Sequence, residues 1–487
     1  MAKMLIGGEQ VDSVSGQTYE VRNPATGEVV DKVPKGNEKD VEQAIQAAET
    51  AFKEWSDVTA EDRGKMLENA CDLIKQKQGE IAQALTKEQG KTLFEAGLEI
   101  HHLLHGLEFY AGLASKVRGA HVPLPQKNAY GMVVRQPIGV CAGIVPWNFP
   151  LTLMGTKLGP ALAAGNTIII KPASTTPLAT LLAIEQIQQA TYGEGKQQKT
   201  LPKGAVNVVT GPGGTVGEEI LKNPRIRRIA FTGSTPVGKH VMEVAGREIK
   251  RVTLELGGSD PMIVMDDANL DVAIKMADIG RFFNCGQMCL GVKRLFLQES
   301  IAESFVGKLT EILKTKTVGN GANKETRMGP IHIESQRKEI EEQVEDAKSR
   351  GAKVVFGGER PKGGDLDKGW FYLPTLLTSV PEDSKVSTEE TFGPVLPVFT
   401  FKTLDEAIEK ANRSIFGLGS SIWTRSLASA NRAIDRLQAG NVWVNSLHYG
   451  YDELPFGGVK QSGIGREHGP EALDYYLEPK GVVIVNV

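Results

Sequence analysis

Apolar residues in the early part of the chain recur at helical spacing. Val41, Ile45, Ala48 and Phe52 form one stripe and Met66, Leu67, Ala70 and Ile74 another, so residues 39–116 are expected to be largely helical. From residue 138 the rhythm changes. Short apolar runs at GVCAGIVP (139–146), TIIIKP (167–172), AVNVVTG (205–211), RIAFTG (228–233) and VTLELGG (252–258) alternate with helical stretches around 155–163, 177–190, 214–223 and 236–247. Runs this continuously apolar predict strands buried on both faces, as in a parallel sheet covered by helices. A second set follows Gly257-Gly258. PMIVM (261–265) leads into the helical DANLDVAIKMADIG, RLFL (294–297) precedes a helix starting near Ile301, and AKVVFGG, VLPVFTF, SSIWT and NVWVN add short strands. The pattern predicts an α/β chain with two Rossmann-like open-sheet lobes that meet at Gly257-Gly258.

Length and composition narrow the class. A chain of 487 residues is too long for one core, so two or three domains are expected. The 56 basic and 59 acidic side chains leave a formal charge of −3 and no basic stripe, which argues against nucleic acid or an anionic membrane as partner. Lys157 is the single charge between Arg135 and Lys171, but Pro137, Gly139, Gly143, Pro146, Pro150, Gly155, Gly159, Pro160 and Gly165 break that stretch too often for a spanning helix. The start, MAKMLIGGEQ, lacks the apolar run of a signal peptide. Cys71, Cys141, Cys285 and Cys289 are too scattered for a disulfide framework, and a reducing cytoplasm suits them. GGERPKGGDLDKGW (357–370) reads as a polar surface loop.

Several residues could carry chemistry. Cys289 closes FFNCGQMC (282–289): a thiolate can add to an aldehyde carbonyl, and loss of hydride then leaves a thioester that water can clear. A free cysteine taken alone is more often a buried, inert one. Glu255 ends an apolar strand, where partial burial makes a general base, or where an ion pair forms. Asn148 in IVPWNFP (144–150) can donate to an oxyanion or shape a turn between prolines. Lys157 needs a partner or a path to solvent. FTGSTPVG (231–238) and GPGGTVG (211–217) put glycines after strands, where backbone amides can face a phosphate, although the first does not match GxGxxG and the second matches it only weakly. Lys171 ends its strand, where open sheets bind ligands, or it simply solubilises the edge. His101 and His105 lie one helical turn apart but without an HExxH pattern or cysteine cluster, so no metal site is expected. Cys285 is read as packing rather than as a redox partner of Cys289.

Taken in order, PWNFP (146–150), KLGPALAAGN (157–166), KPASTTP (171–177), FTGSTPVG, LELGG, NCGQMC, EETFGPV (389–395) and PFGGVKQSGIGRE (455–467) closely resemble the aldehyde dehydrogenase superfamily, over nearly the whole chain. The resemblance implies Cys289 as nucleophile, Glu255 as the base that activates water, and Asn148 with the Cys289 amide as oxyanion donors. It associates Lys157 and Glu467 with proton relay and site organisation. It implies NAD or NADP as cofactor, with Glu390 and Phe392 at the nicotinamide ribose and ring, and Lys171 at the adenosine ribose. Ile144, Pro146, Trp147, Ser174, Gly211, Phe231, Gly233, Ser234, Gly238 and Leu256 line the cofactor cleft on the same ground. Residues 1–116 with 139–256 would form the cofactor domain and 257–467 the catalytic domain. Residues 117–138 with 468–487 would form a small β element that joins copies into dimers or tetramers. One departure concerns the cofactor. Ser174 stands where strongly NAD-preferring members often carry Glu, so NADP is expected to be accepted and a preference for it is allowed. Glu255 favours hydrolysis over transfer of the thioester to CoA, and the filled nucleophile, base and oxyanion positions argue against a non-catalytic binding protein. The helix around 106–113, Met288, Leu290 and the loop SLHYGYDEL (446–454), with His448, Tyr449 and Tyr451, are the expected substrate determinants. The likeness is to members acting on small polar aldehydes such as lactaldehyde, glyceraldehyde and succinic semialdehyde.

Overall fold

The apolar runs between residues 138 and 258 are strands that lie side by side. Val140–Ile144 is in the middle, Thr167–Lys171 and then Val206–Val208 lie on one side, and Arg228–Thr232 and then Arg251–Glu255 on the other, all parallel. The computed structural model describes residues 1–486. Thr167–Lys171 shows why such a run is continuously apolar: Ile168 and Ile170 enter one core and Ile169 enters the core on the opposite face. The first face is covered by the helices Ala60–Gln89, Leu93–Ala114, Pro150–Ala163 and Leu178–Gln188. The second carries Glu38–Trp55 and Thr235–Arg247.

The chain extends this sheet in one direction from Val140–Ile144 and then returns to extend it in the other. A crevice therefore opens beyond the carboxyl ends of Val140–Ile144 and Arg228–Thr232, the switch point at which open α/β sheets take ligands. After Gly257-Gly258 the same logic repeats. Asp260–Val264 is flanked by Val292–Gln298, Val395–Phe401 and Thr375–Thr378 on one side and by Gly419–Trp423 and Asn441–Val444 on the other, all parallel. Lys353–Phe356 adds an antiparallel edge. This sheet has its own core, which includes Met262, Leu295, Phe305, Leu396 and Trp423.

The differences from the sequence pattern are local. The helix expected at 155–163 begins earlier, at Pro150, because a proline in the first turn has its φ already set and lacks only an N–H that would be unpaired there. The stretch expected to be helical over 214–223 opens with one wide turn, Gly213–Gly217, before the short helix Glu218–Lys222. Strands Met4–Ile6, Glu9–Val11 and Gly463–Ile464 close the first sheet's edges antiparallel, and they are too short to show a period.

Residues 117–138 and the chain end meet in a third, antiparallel sheet. Leu477–Val485 runs along Ala129–Pro137 from Leu477 opposite Pro137 to Val485 opposite Ala129, and Ala120–Pro123 lies on the far side. Among the described residues, no helix is long and apolar enough to cross a membrane.

Candidate active site

Lys157 rides on the helix that follows the first strand, and its stem lies over Gly143, where a larger residue would also strike Ile170. Its ammonium donates to Glu467 Oε1 at 2.8 Å and to Thr232 Oγ1 at 2.7 Å, and the other Glu467 oxygen accepts from Thr156 Oγ1 at 2.7 Å. The lone charge of the apolar stretch thus has a buried counter-ion and two hydroxyls around it, as a charge in low dielectric requires. Glu255, at the end of the neighbouring strand, has no such company. It is buried and neither carboxylate oxygen has a hydrogen-bond partner. Burial first, and the negative charge of Glu467 second, push its carboxyl well above the usual range, against a smaller pull from Lys157 and Arg466.

Cys289 follows a turn held from several sides. Asn284 and Cys285 both adopt left-handed backbone, with φ of 49° and 55°, a conformation that costs a non-glycine residue about 1–2 kcal/mol. Side chains from elsewhere hold it in place. The Asn284 N–H donates to Glu95 Oε1 at 2.7 Å, its side-chain amide donates to Asn148 O at 3.0 Å, and the His332 N–H donates to Gln287 Oε1 at 2.8 Å. Asn148 is fastened to the same turn, its amide donating to Gln287 O at 3.2 Å. Its carbonyl also accepts from Lys91 Nζ at 2.8 Å, and Lys91 pairs with Glu99, whose other oxygen accepts from the Leu151 N–H at 2.8 Å. Cys289 itself is half-buried with a free thiol, and burial pushes that thiol up to about 12. Cys285 is free and fully buried.

A cleft of about 430 Å³ opens at the switch point, lined on one wall by Pro146, Trp147 and Asn148, on another by Thr232, Gly233, Ser234 and Leu256, and closed by Cys289, Glu390 and Phe392. Glu390 accepts from the Gly258 N–H at 3.0 Å and from Lys293 Nζ at 2.7 Å. Phe392 stands edge-on to Trp147, which stacks on His332 at 4.6 Å. At Gly233 the cleft has room for backbone only, since a side chain there would strike the Phe231 ring, and at Gly238 a side chain would strike Leu256, which lines the cleft. Ile144 lies between Lys171 and Phe231 in the sheet register. Lys171, Ser174 and Gly211 are farther along the same sheet edge and outside that lining. Ser174 Oγ donates to Gly211 O at 2.9 Å. Lys171 donates only to Pro172 O, at 3.1 Å, and burial without a carboxylate lowers its ammonium to about 8.

Of the expected substrate determinants, the loop 446–454 lies against the helix Leu93–Ala114. His102 packs edge-on to Tyr449, and Tyr449 to Tyr451. His105 does not pair with His101 but turns to Asp452, which also takes His468, both at 2.6 Å. His448 stacks on Trp443 beneath the loop. Lys91, Glu95, Glu99, Asn284, His332 and Lys293 were not singled out by the sequence pattern. Lys91, Glu95 and Glu99 recur every four residues, and that spacing was the available signal.

The model of the aldehyde dehydrogenase family matches residues 11–482, so the chain belongs to the aldehyde dehydrogenase family. It is an NAD(P)-dependent aldehyde dehydrogenase, as its relatives are. It is 41% identical to a glutarate-semialdehyde dehydrogenase of Pseudomonas aeruginosa over 98% of this chain and 96% of that one. It is 39% identical to an NADP(+) succinate-semialdehyde dehydrogenase of Escherichia coli over 99% of this chain and 97% of that one. The solved betaine aldehyde dehydrogenase of Staphylococcus aureus in complex with NAD+ superposes with a TM-score of 0.94 at 37% identity, covering 99% of this chain and 94% of that one.

Proposed function

We propose that the enzyme oxidises a small polar aldehyde to its carboxylic acid by hydrolysis of a thioester on Cys289. The observation that carries this reading is a free half-buried thiol in the cleft wall with Glu255 close enough for its charge to act on that thiol, a buried carboxylate without a hydrogen-bond partner, one residue before the cleft-lining Leu256. Cys289 sulfur bonds to the aldehyde carbon while its proton passes to a base, and the Asn148 amide and the Cys289 N–H stabilise the oxygen that gains charge. Nicotinamide, when bound, accepts the hydride. Glu255, with its raised pKa, then takes a proton from water. The hydroxide adds to the thioester carbon, the carbon–sulfur bond breaks, and the acid leaves with the thiol restored. Lys157 and Glu467 hold the buried charge balance around that base. Glu390 and Phe392 serve the nicotinamide end. Residues 1–116 with 139–256 carry the cofactor, residues 257–467 the nucleophile, and 117–138 with 468–487 join copies into a homo-oligomer, dimer or tetramer, through the exposed sheet edge. Four free cysteines suit a reducing cytoplasm.

The cleft fits a dinucleotide by the backbone-only wall at Gly233, by the close packing of Gly238 on Leu256 behind it, and by the ammonium of Lys171, which has no carboxylate to satisfy it. With Ser174 in place of an acid, that ammonium is free for a 2′-phosphate, so NADP is accepted. Ser174→Glu is expected to lower kcat/KM for NADP relative to NAD at least about tenfold, since like-charge contact costs several kcal/mol. Unchanged cofactor preference in parallel kinetics would remove Ser174 from this role. Lactaldehyde, glyceraldehyde and succinic semialdehyde are the favoured substrates, supported by the polar groups His102, His105, Tyr449 and Asp452 gathered where the loop 446–454 meets the helix Leu93–Ala114. Reduced-nicotinamide absorbance across an aldehyde panel, with NAD and NADP in parallel and no CoA, tests the whole reading. Turnover is expected; activity only after CoA is added would replace hydrolysis with acyl transfer.

A further inference from the structure

Lys293 is the second residue of the strand Val292–Gln298, which leaves the nucleophile turn, and its side chain is 1% exposed. A buried ammonium needs a carboxylate, and Glu390 Oε1 supplies one at 2.7 Å. Its other bond is unusual for such a pair. Nζ also donates to the carbonyl of Cys289 itself, at 2.7 Å. Upstream of Cys289 the turn is held by Glu95, Asn148 and His332. Downstream, Lys293 ties the nucleophile's own peptide to a carboxylate on the cleft wall, which is anchored in turn by the Gly258 N–H. The reaction steps above make no use of this ammonium.

We propose that Lys293 is a positioning residue for this reaction: it fixes the Cys289 peptide against Glu390 and supplies the positive field in which the Cys289 thiolate forms. The inference rests on Cys289 being the nucleophile. Lys293 and Glu390 then act on one sulfur with opposite sign, and Glu255 adds a smaller push in the same sense as Glu390. The Lys293 charge draws the thiol down against the rise caused by burial, whereas the Glu390 charge pushes it further up. Removing Lys293 leaves Glu390 unopposed, and removing the Glu390 charge leaves Lys293 unopposed. A contact that merely held the fold together would give no such pair of opposite effects.

The test is the rate of Cys289 alkylation by iodoacetamide as a function of pH, on the full chain without cofactor or aldehyde, with Cys289→Ala as the blank for the other thiols. Lys293→Met is expected to slow alkylation at neutral pH about tenfold, moving its pH profile up by about one unit. Glu390→Gln should move the profile the other way, and Lys293→Arg should keep it near that of the parent. Lys293→Met and Glu390→Gln profiles that superimpose on the parent's, or that shift in the same direction, would overturn the proposal. If Lys293→Met does not fold, Glu390→Gln and Lys293→Arg read the same field with a cation in place. Alkylation needs no turnover. Opposite shifts in an enzyme silent toward every aldehyde would therefore sink the oxidation reading and leave the Lys293 field standing.

Discussion

Replacing Cys289 with alanine is expected to lower steady-state aldehyde oxidation at least about 10,000-fold while nicotinamide binding persists. Loss of a covalent nucleophile removes the step that every later bond change depends on, and losses of that order follow when a nucleophile is deleted. Binding should survive because the cleft is built from Pro146, Trp147, Gly233, Ser234, Leu256 and Phe392 as well as Cys289. Cys285→Ala is the matching control, since that thiol is wholly buried. Turnover of Cys289→Ala at the parent rate, or a loss confined to Cys285→Ala, would transfer the nucleophile's role elsewhere.

Glu255→Gln is the second large effect. The amide keeps the shape of the side chain but cannot take a proton, so hydrolysis of the thioester should slow about 100- to 10,000-fold. Formation of reduced nicotinamide in the first turnover should persist, giving a burst followed by a slow steady state. The pH dependence has a definite sign. Burial and Glu467 hold the Glu255 carboxyl protonated above the usual range, and a base works only when ionised, so parent kcat should climb with pH through that raised pKa. The residual rate of Glu255→Gln should lack this limb. Stability runs the opposite way. Below the ordinary carboxylate pKa the group is neutral in folded and unfolded chains alike. As pH rises toward the folded value only the unfolded chain ionises, so the parent loses stability that Glu255→Gln retains. Thermal melts of the two proteins should therefore diverge with increasing pH. Melts that stay parallel would mean that the carboxylate is not held under this strain.

Much of this architecture was legible because burial on two faces leaves a plain signature. TIIIK can be read as a central strand since Ile168, Ile169 and Ile170 must all be apolar to serve cores on opposite sides. Met4–Ile6 also serves cores on both faces, but a run of three residues is too short to show a period. Among the candidate site residues, Lys157 could be flagged from its isolation in an apolar stretch, but its partner Glu467 lies 310 positions away and no local pattern connects them. Glu95 and Glu99 were hidden for the opposite reason. Acidic residues at four-residue spacing look like a solvated helix face, yet here that face is buried and holds the Leu151 and Asn284 backbones. Lys293 looks like an ordinary charge at a strand start until the Glu390 loop folds against it. What sequence conceals is the environment of a charge, because desolvation and partner geometry arise only when distant segments meet.

The most direct measurement is the mass of the Cys289 peptide from Glu255→Gln, quenched soon after mixing with a turned-over aldehyde and cofactor. The account predicts a peptide heavier by the aldehyde less two hydrogens, sensitive to hydroxylamine as a thioester is. An unmodified Cys289 peptide alongside reduced nicotinamide, or the same adduct on any other residue, would contradict it.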